Sequence, residues 1–133
     1  MAEEQDIWER KKVCIIDDNE DIRSIYQTKF SAEGFEVFMA VNGEEGLKVI
    51  NQAKPDIILL DIEMPIMNGI EVLKKLREDT ALSRIPVIML TNQDSEDSFR
   101  TVGKFDTQFY IIKSLATPQK VVNIVREVLR ARR

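Results

Sequence analysis

Apolar residues gather in five short runs, separated by longer stretches in which they recur every three or four positions. The runs are Val13-Cys14-Ile15-Ile16, Phe35-Glu36-Val37-Phe38-Met39, Ile57-Ile58-Leu59-Leu60, Val87-Ile88-Met89-Leu90 and Phe109-Tyr110-Ile111-Ile112. Each has strand length and is mostly β-branched or aromatic. Four are apolar without interruption, which predicts parallel strands covered on both faces. The second carries Glu36 and is predicted to lie at a sheet edge.

The intervening stretches predict helices. Asn19 caps the first, Glu20 and Asp21 fill its first turn, and Ile22, Ile25, Tyr26 and Phe30 form its inward stripe, with Gly34 just past its end. Asn42 with Glu45 opens the second, whose stripe is Leu47, Ile50 and Ala53, and Pro55 lies beyond it. Ile70, Leu73 and Leu76 mark the third. A fourth, from about Ser95 to Lys104, has only Phe99 and Val102 as inward anchors and is interrupted by Gly103, so it is expected to be the most mobile. Thr117 followed by Pro118 opens the last, with Val121, Val125, Val128 and Leu129 inward.

Five strand-then-helix units predict an α/β layer fold with a parallel sheet and right-handed crossovers. With 133 residues there is room for one domain. Residues 1–10, which include Ile7 and Trp8, read as a polar leader, and residues 11–133 as the folded domain. No internal repeat or low-complexity stretch appears.

Composition then narrows the chemistry. The chain is 44% hydrophobic and 32% charged, which argues against disorder. Its net charge of −4 argues against nucleic acid or an anionic membrane as the main partner. Histidine is absent, which excludes a histidine base, a histidine triad and histidine-ligated zinc or haem. One cysteine, Cys14, excludes an internal disulfide and a cysteine-held metal cluster, and its place inside a strand predicts a buried apolar group. No apolar run approaches the ~18 residues of a membrane span, and the first residues do not resemble a signal peptide, so a reducing cytoplasm is expected. Carboxylates, hydroxyls, lysine or a hard metal must carry any chemistry.

Sites in open parallel sheets lie at the carboxyl ends of the strands. Asp17 and Asp18 follow the first strand, Asp61 the third, Thr91 the fourth and Lys113 the fifth. Singly, each could be a cap or a solvated loop residue. Together, three carboxylates on one rim repel each other unless a cation sits among them. Lys113 supplies one charge, and a hard divalent ion such as Mg2+ suits carboxylates, a carbonyl and waters.

These residues resemble the receiver domain of two-component response regulators. The resemblance spans about Lys12 to Arg130. It rests on Ile15-Ile16-Asp17-Asp18, on Asp61-Ile62-Glu63-Met64-Pro65-Ile66-Met67-Asn68-Gly69, on Leu90-Thr91 and on Tyr110-Ile111-Ile112-Lys113. It implies a flavodoxin-like, doubly wound five-stranded parallel sheet of order 2-1-3-4-5 with helices on both faces. It implies that Asp61 is the phosphoacceptor, a carboxylate nucleophile that forms an acyl phosphate. Asp18 would be the direct ligand of Mg2+ (or Mn2+) and Asp17 a ligand partly through water. Asp61 and the backbone carbonyl of Glu63 would complete the protein ligands. Lys113 would pair with the phosphoryl oxygens, Thr91 would be the switch hydroxyl, and Tyr110 the aromatic that moves with it. Such chemistry needs in-line positioning and charge compensation more than covalent help.

The implied donor is a histidine kinase or histidine phosphotransfer protein. The implied output is a downstream protein target, reached through the face of the fourth helix, fifth strand and fifth helix. Direct nucleic-acid or membrane binding is not implied, and homodimerisation stays open. Such a protein is no enzyme towards other molecules; it promotes only its own phosphorylation and dephosphorylation. In the backbone, Pro65 is expected to fix a turn and Gly69 to permit a tight entry into the third helix, while Met64 and Met67 are expected to pack.

The sequence departs from the family pattern in three places. Ser114 follows Lys113 where proline is usual, so that bond is expected to be trans. Asn92 follows Thr91 where a small residue is common, and Asp106-Thr107-Gln108 stands before the fifth strand. Two other readings stand beside the phosphoacceptor. One is a pseudo-receiver interaction module. The other is an aspartyl-nucleophile phosphohydrolase with Glu63, two residues past Asp61, as acid–base. A flavin-binding protein is disfavoured, because the loop after the first strand lacks a glycine- and hydroxyl-rich phosphate cradle.

Overall fold

The computed structural model describes residues 10–92, Arg100 and 109–132. Five strands, β1 (Lys12–Ile16), β2 (Glu36–Ala40), β3 (Ile57–Asp61), β4 (Val87–Thr91) and β5 (Phe109–Ile112), form one sheet of order β2-β1-β3-β4-β5. Every neighbouring pair is parallel. The order and the edge position of β2, with Glu36 exposed, agree with expectation. The described helices are α1 (Glu20–Ala32), α2 (Gly43–Ala53), α3 (Gly69–Glu78) and α4 (Pro118–Ala131). The predicted helix at 95–104 lies outside the described residues apart from Arg100, as do the leader residues 1–9 and Asp106-Thr107-Gln108. None of the described helices is long and apolar enough to cross a membrane.

Alternation along the strands divides the core in two. Val13, Ile15, Ile57, Leu59, Ile88, Leu90 and Ile111 face Tyr26 and Phe30 of α1 and Val121, Val122, Val125, Val128 and Leu129 of α4. Cys14, Ile16, Ile58, Leu60, Val87 and Met89 face Ile50 of α2 and Val72, Leu73 and Leu76 of α3. Both faces are thus covered, which is why these strands need no polar alternation. Cys14 is fully buried, and burial pushes its thiol up to about 12, so it packs as a small apolar group.

Helix ends follow local chemistry. The side chains of Asn19, Asn42 and Thr117 accept from the backbone N–H of Ile22, Glu45 and Lys120, as the sequence predicts. After α1, Gly34 takes φ 95°, its N–H reaches the Ser31 carbonyl and that of Phe35 reaches Phe30. The Phe30 and Phe35 rings meet edge to face at 5.2 Å, closing a Schellman motif. The α1 stripe needs one correction: Ile25 is 48% exposed, while Tyr26 and Phe30 are buried.

Candidate functional site

Parallel strands all release their chains at the same edge, so the polar residues after them converge. Asp17 follows β1 and is fully buried, and Asp18 beside it is exposed. Asp61 ends β3 and Thr91 ends β4, both buried. Lys113 follows β5, opens a short 3-10 turn and carries a buried side chain. A pocket of about 370 Å³ is lined by Asp17, Asp18, Asn19, Asp61, Glu63, Asn92 and Lys113. Lys113 Nζ lies 2.5 Å from Asp17 Oδ2 and 3.3 Å from Asp61 Oδ1, so one ammonium bridges two buried carboxylates. The Lys113–Ser114 bond is trans, since no cis bond occurs among the described residues.

One carboxylate oxygen from each of Asp17, Asp18 and Asp61 lies within 4.8 Å of the others. The donor set is hard, anionic and oxygen-only, and one member faces solvent. It therefore fits a hard divalent cation and no soft one. Burial pushes the Asp61 carboxyl up to about 7, and the Asp17 charge adds to this; Lys113 and a bond from the Glu63 backbone N–H oppose it. Desolvation is thus a larger cause than the mutual repulsion that sequence reasoning emphasises.

The loop from β3 to α3 is braced against Asp61. The N–H of Gly69 donates to the Ile62 carbonyl at 2.8 Å, and that of Ile62 to Leu90 at 3.1 Å. A Cβ on Gly69 would lie 2.1 Å from the carbonyl oxygen of Asp61, so glycine is required there for space rather than for torsion. Pro65 accepts from the Met67 N–H at 2.8 Å across Ile66, which takes φ 72° and is 74% exposed. This is the three-residue γ-turn with a positive central φ, rare for a β-branched residue. Met64 and Met67 pack against the α2–α3 side of the core, as expected. Tyr110 is half-buried against the same cluster, and its hydroxyl is buried.

Three contributors escape sequence reasoning. The Asn19 N–H donates to Asp17 Oδ1 at 2.9 Å, so Asn19 orients the carboxylate as well as capping α1. Arg23 Nη1 donates to the Asp17 carbonyl at 2.8 Å, although a helix arginine six residues on reads as a solvated charge. Asn68 and Glu71 form a reciprocal capping box at the start of α3; the spacing is visible in Asn68-Gly69-Ile70-Glu71, since an Asn–Glu pair at that offset is its signature.

The chain is similar to known proteins over most of its length. The family model for the response regulator receiver domain matches residues 13–126. The polar-differentiation response regulator DivK of Brucella anthropi is 32% identical over 114 residues, covering 86% of this chain and 93% of its own. The alkaline phosphatase synthesis transcriptional regulatory protein PhoP of Bacillus subtilis is 35% identical over 120 residues, 90% of this chain. The chain spans about half the length of several curated relatives, 49% for PhoP and 48% for a probable transcriptional regulator ycf27 of Guillardia theta. Among solved structures, the chemotaxis protein CheY4 of Vibrio cholerae superposes with TM-score 0.83 at 27% identity, covering 90% of this chain and 98% of its own.

Proposed function

The chain belongs to the response regulator receiver domain family, and we propose that it takes a phosphoryl group from a phosphohistidine partner, a histidine kinase or phosphotransfer protein, onto Asp61. The observation that carries this reading is the position of Asp61. Its carboxylate is buried at the end of a central strand, opens into the acid-lined pocket and is touched by a buried ammonium.

In the proposed step an Asp61 carboxylate oxygen attacks phosphorus and a new P–O bond forms. The bond from phosphorus to the donor imidazole nitrogen breaks, and the electron pair stays on that nitrogen. Asp61 must be ionised to attack. Lys113, 3.3 Å away, favours the ionised form and can turn from Asp17 towards the phosphoryl oxygens. Thr91 ends the adjacent strand, from which its hydroxyl can donate to another phosphoryl oxygen and draw the end of β4 towards the site. Tyr110, on β5 beside β4, is placed to follow that movement. Asp17, Asp18, Asp61 and the Glu63 carbonyl would hold a divalent cation, Mg2+ in the cell, which would offset charge on the transferring group. Domain output through the region after β4 and through β5 and α4, an unidentified protein target and a cytoplasmic location complete the reading.

The test is incubation with acetyl phosphate and Mg2+, followed by intact-mass and peptide analysis. One base-labile phosphoryl group on Asp61 is expected, absent in Asp61→Asn. Labelling of Asp61→Asn equal to wild type overturns the assignment, and multiple turnover of a small phosphate ester would favour a phosphohydrolase with Glu63 as acid–base.

A further inference from the structure

We propose that Arg23 is a positioning residue for the divalent cation: it pins the peptide between Asp17 and Asp18 and so sets where the Asp18 carboxylate stands. The inference rests on the reading of the acid pocket given above. The connection from β1 to α1 is three residues long, Asp17, Asp18 and Asn19. Asp17 is held independently of Arg23. Its N–H donates to Ala40 at 3.2 Å, its Oδ1 accepts from Asn19 and its Oδ2 from Lys113. Asn19 is held through its side chain, which caps α1. Asp18 is exposed and its carboxylate makes no hydrogen bond among the described residues, so what the protein fixes of its position is the backbone that carries its Cβ.

What these contacts do not hold is the 17–18 peptide plane, whose carbonyl is met by Arg23. The plane is rigid, with C=O and N–H on opposite sides, so fixing the carbonyl fixes the Asp18 N–H and the exit direction of Asp18 together. Arg23 Nη1 fixes that carbonyl at 2.8 Å. The arginine stands on a firm post, because α1 is anchored by buried Tyr26 and Phe30 and closed by its Schellman motif. The guanidinium cannot lose its charge, and its planar fork loses little freedom on binding a carbonyl.

A second role for Arg23 must be separated from this one, that of a cation near three carboxylates. The two predict opposite signs. A positive charge near the pocket disfavours a bound cation, so its removal strengthens metal binding, whereas loss of a positioning contact weakens it. The experiment titrates the full chain with Mn2+, counting free ion by electron paramagnetic resonance, well below each protein's unfolding midpoint. Acetyl phosphate labelling of Asp61 is measured in parallel. Wild type is expected to bind one ion and to label. Arg23→Met is expected to bind roughly tenfold more weakly. Arg23→Lys, which keeps the charge but has a shorter reach, is expected to weaken several-fold and guards against misfolding of the first variant.

An Arg23→Met protein that binds Mn2+ as tightly as wild type, or more tightly, overturns the inference, as does an Arg23→Lys protein equal to wild type. If wild type labels while either of these holds, only the role of Arg23 fails. If wild type binds no Mn2+ and does not label, the reading of the pocket fails with it. A purely structural role would lower the midpoint and leave the affinity of the folded protein unchanged.

Discussion

One hydrogen atom in place of a methyl group lets the loop after Asp61 close. The Cβ of Gly69→Ala would meet the Asp61 carbonyl oxygen at 2.1 Å and Asp61 C and Ile62 Cα at 2.9 Å. All three are backbone atoms, so no rotamer relieves the contact. Gly69→Ala should therefore destabilise by about 2 kcal/mol in denaturant unfolding, the scale of overpacking, and should slow labelling of Asp61 in the protein that remains folded. Stability equal to wild type would show that the loop yields freely. The glycine itself was legible from the spacing Asp61-x-x-Met64-Pro65-x-x-x-Gly69, but its reason was not: a space constraint depends on another segment's backbone. Asp17, Asp18, Asp61, Thr91 and Lys113 were legible because each follows an apolar run. Arg23 was not, because nothing local distinguishes an arginine that reaches back six residues from one that faces solvent.

At the scale of the element, the loop from β3 to α3 combines a gain and a cost two residues apart. Asn68 and Glu71 satisfy backbone donors at the start of α3 through their capping box. Asn68→Ala should lower stability by about 1 kcal/mol. Ile66 instead holds a β-branched side chain at φ 72° while leaving it 74% exposed. Ile66→Asn suits a left-handed backbone and loses little buried surface, so it should raise stability by about 1 kcal/mol. Opposite shifts of the unfolding midpoint check both; if Ile66→Asn lowers it, the side chain makes contacts that its exposure conceals. The same contrast shows how far helix patterns carry. In α1, residues 22, 26 and 30 drift slowly around the helix, and Ile25 lies about 100° from their centre at 3.6 residues per turn. Hydrophobicity placed it in the stripe, whereas the width of the surface that α1 covers decided its exposure.

For the whole molecule, the parallel sheet that gathers the site also loads it. Asp17, Asp18 and Asp61 are 44 residues apart along the chain at the extremes and share one pocket in the fold, with Lys113 bonded to two of them. In the metal-free protein the consequence is a pH-dependent stability. Burial raises the Asp61 carboxyl from 3.8 to about 7, so the native state binds a proton that the unfolded chain has already released. A raised folded-state value contributes stability that is complete below about pH 4 and is lost as pH rises towards about 7. The chain has no histidine, so no imidazole titrates near the upper end of that window. Glu33, held low by Arg126 first and by Lys29, acts on the acid side of it, where its stabilisation is lost as pH falls. Denaturant unfolding in EDTA should therefore show wild type losing at least about 1 kcal/mol between pH 4 and pH 7. Asp61→Asn should flatten that slope and be the more stable protein at pH 7. Excess Mg2+ should restore wild type by mass action and do less for Asp18→Asn, which lacks one of the three carboxylates. A flat wild-type profile in EDTA would mean that the fold relaxes to hydrate Asp61, and that its carboxylate is ionised before any cation arrives.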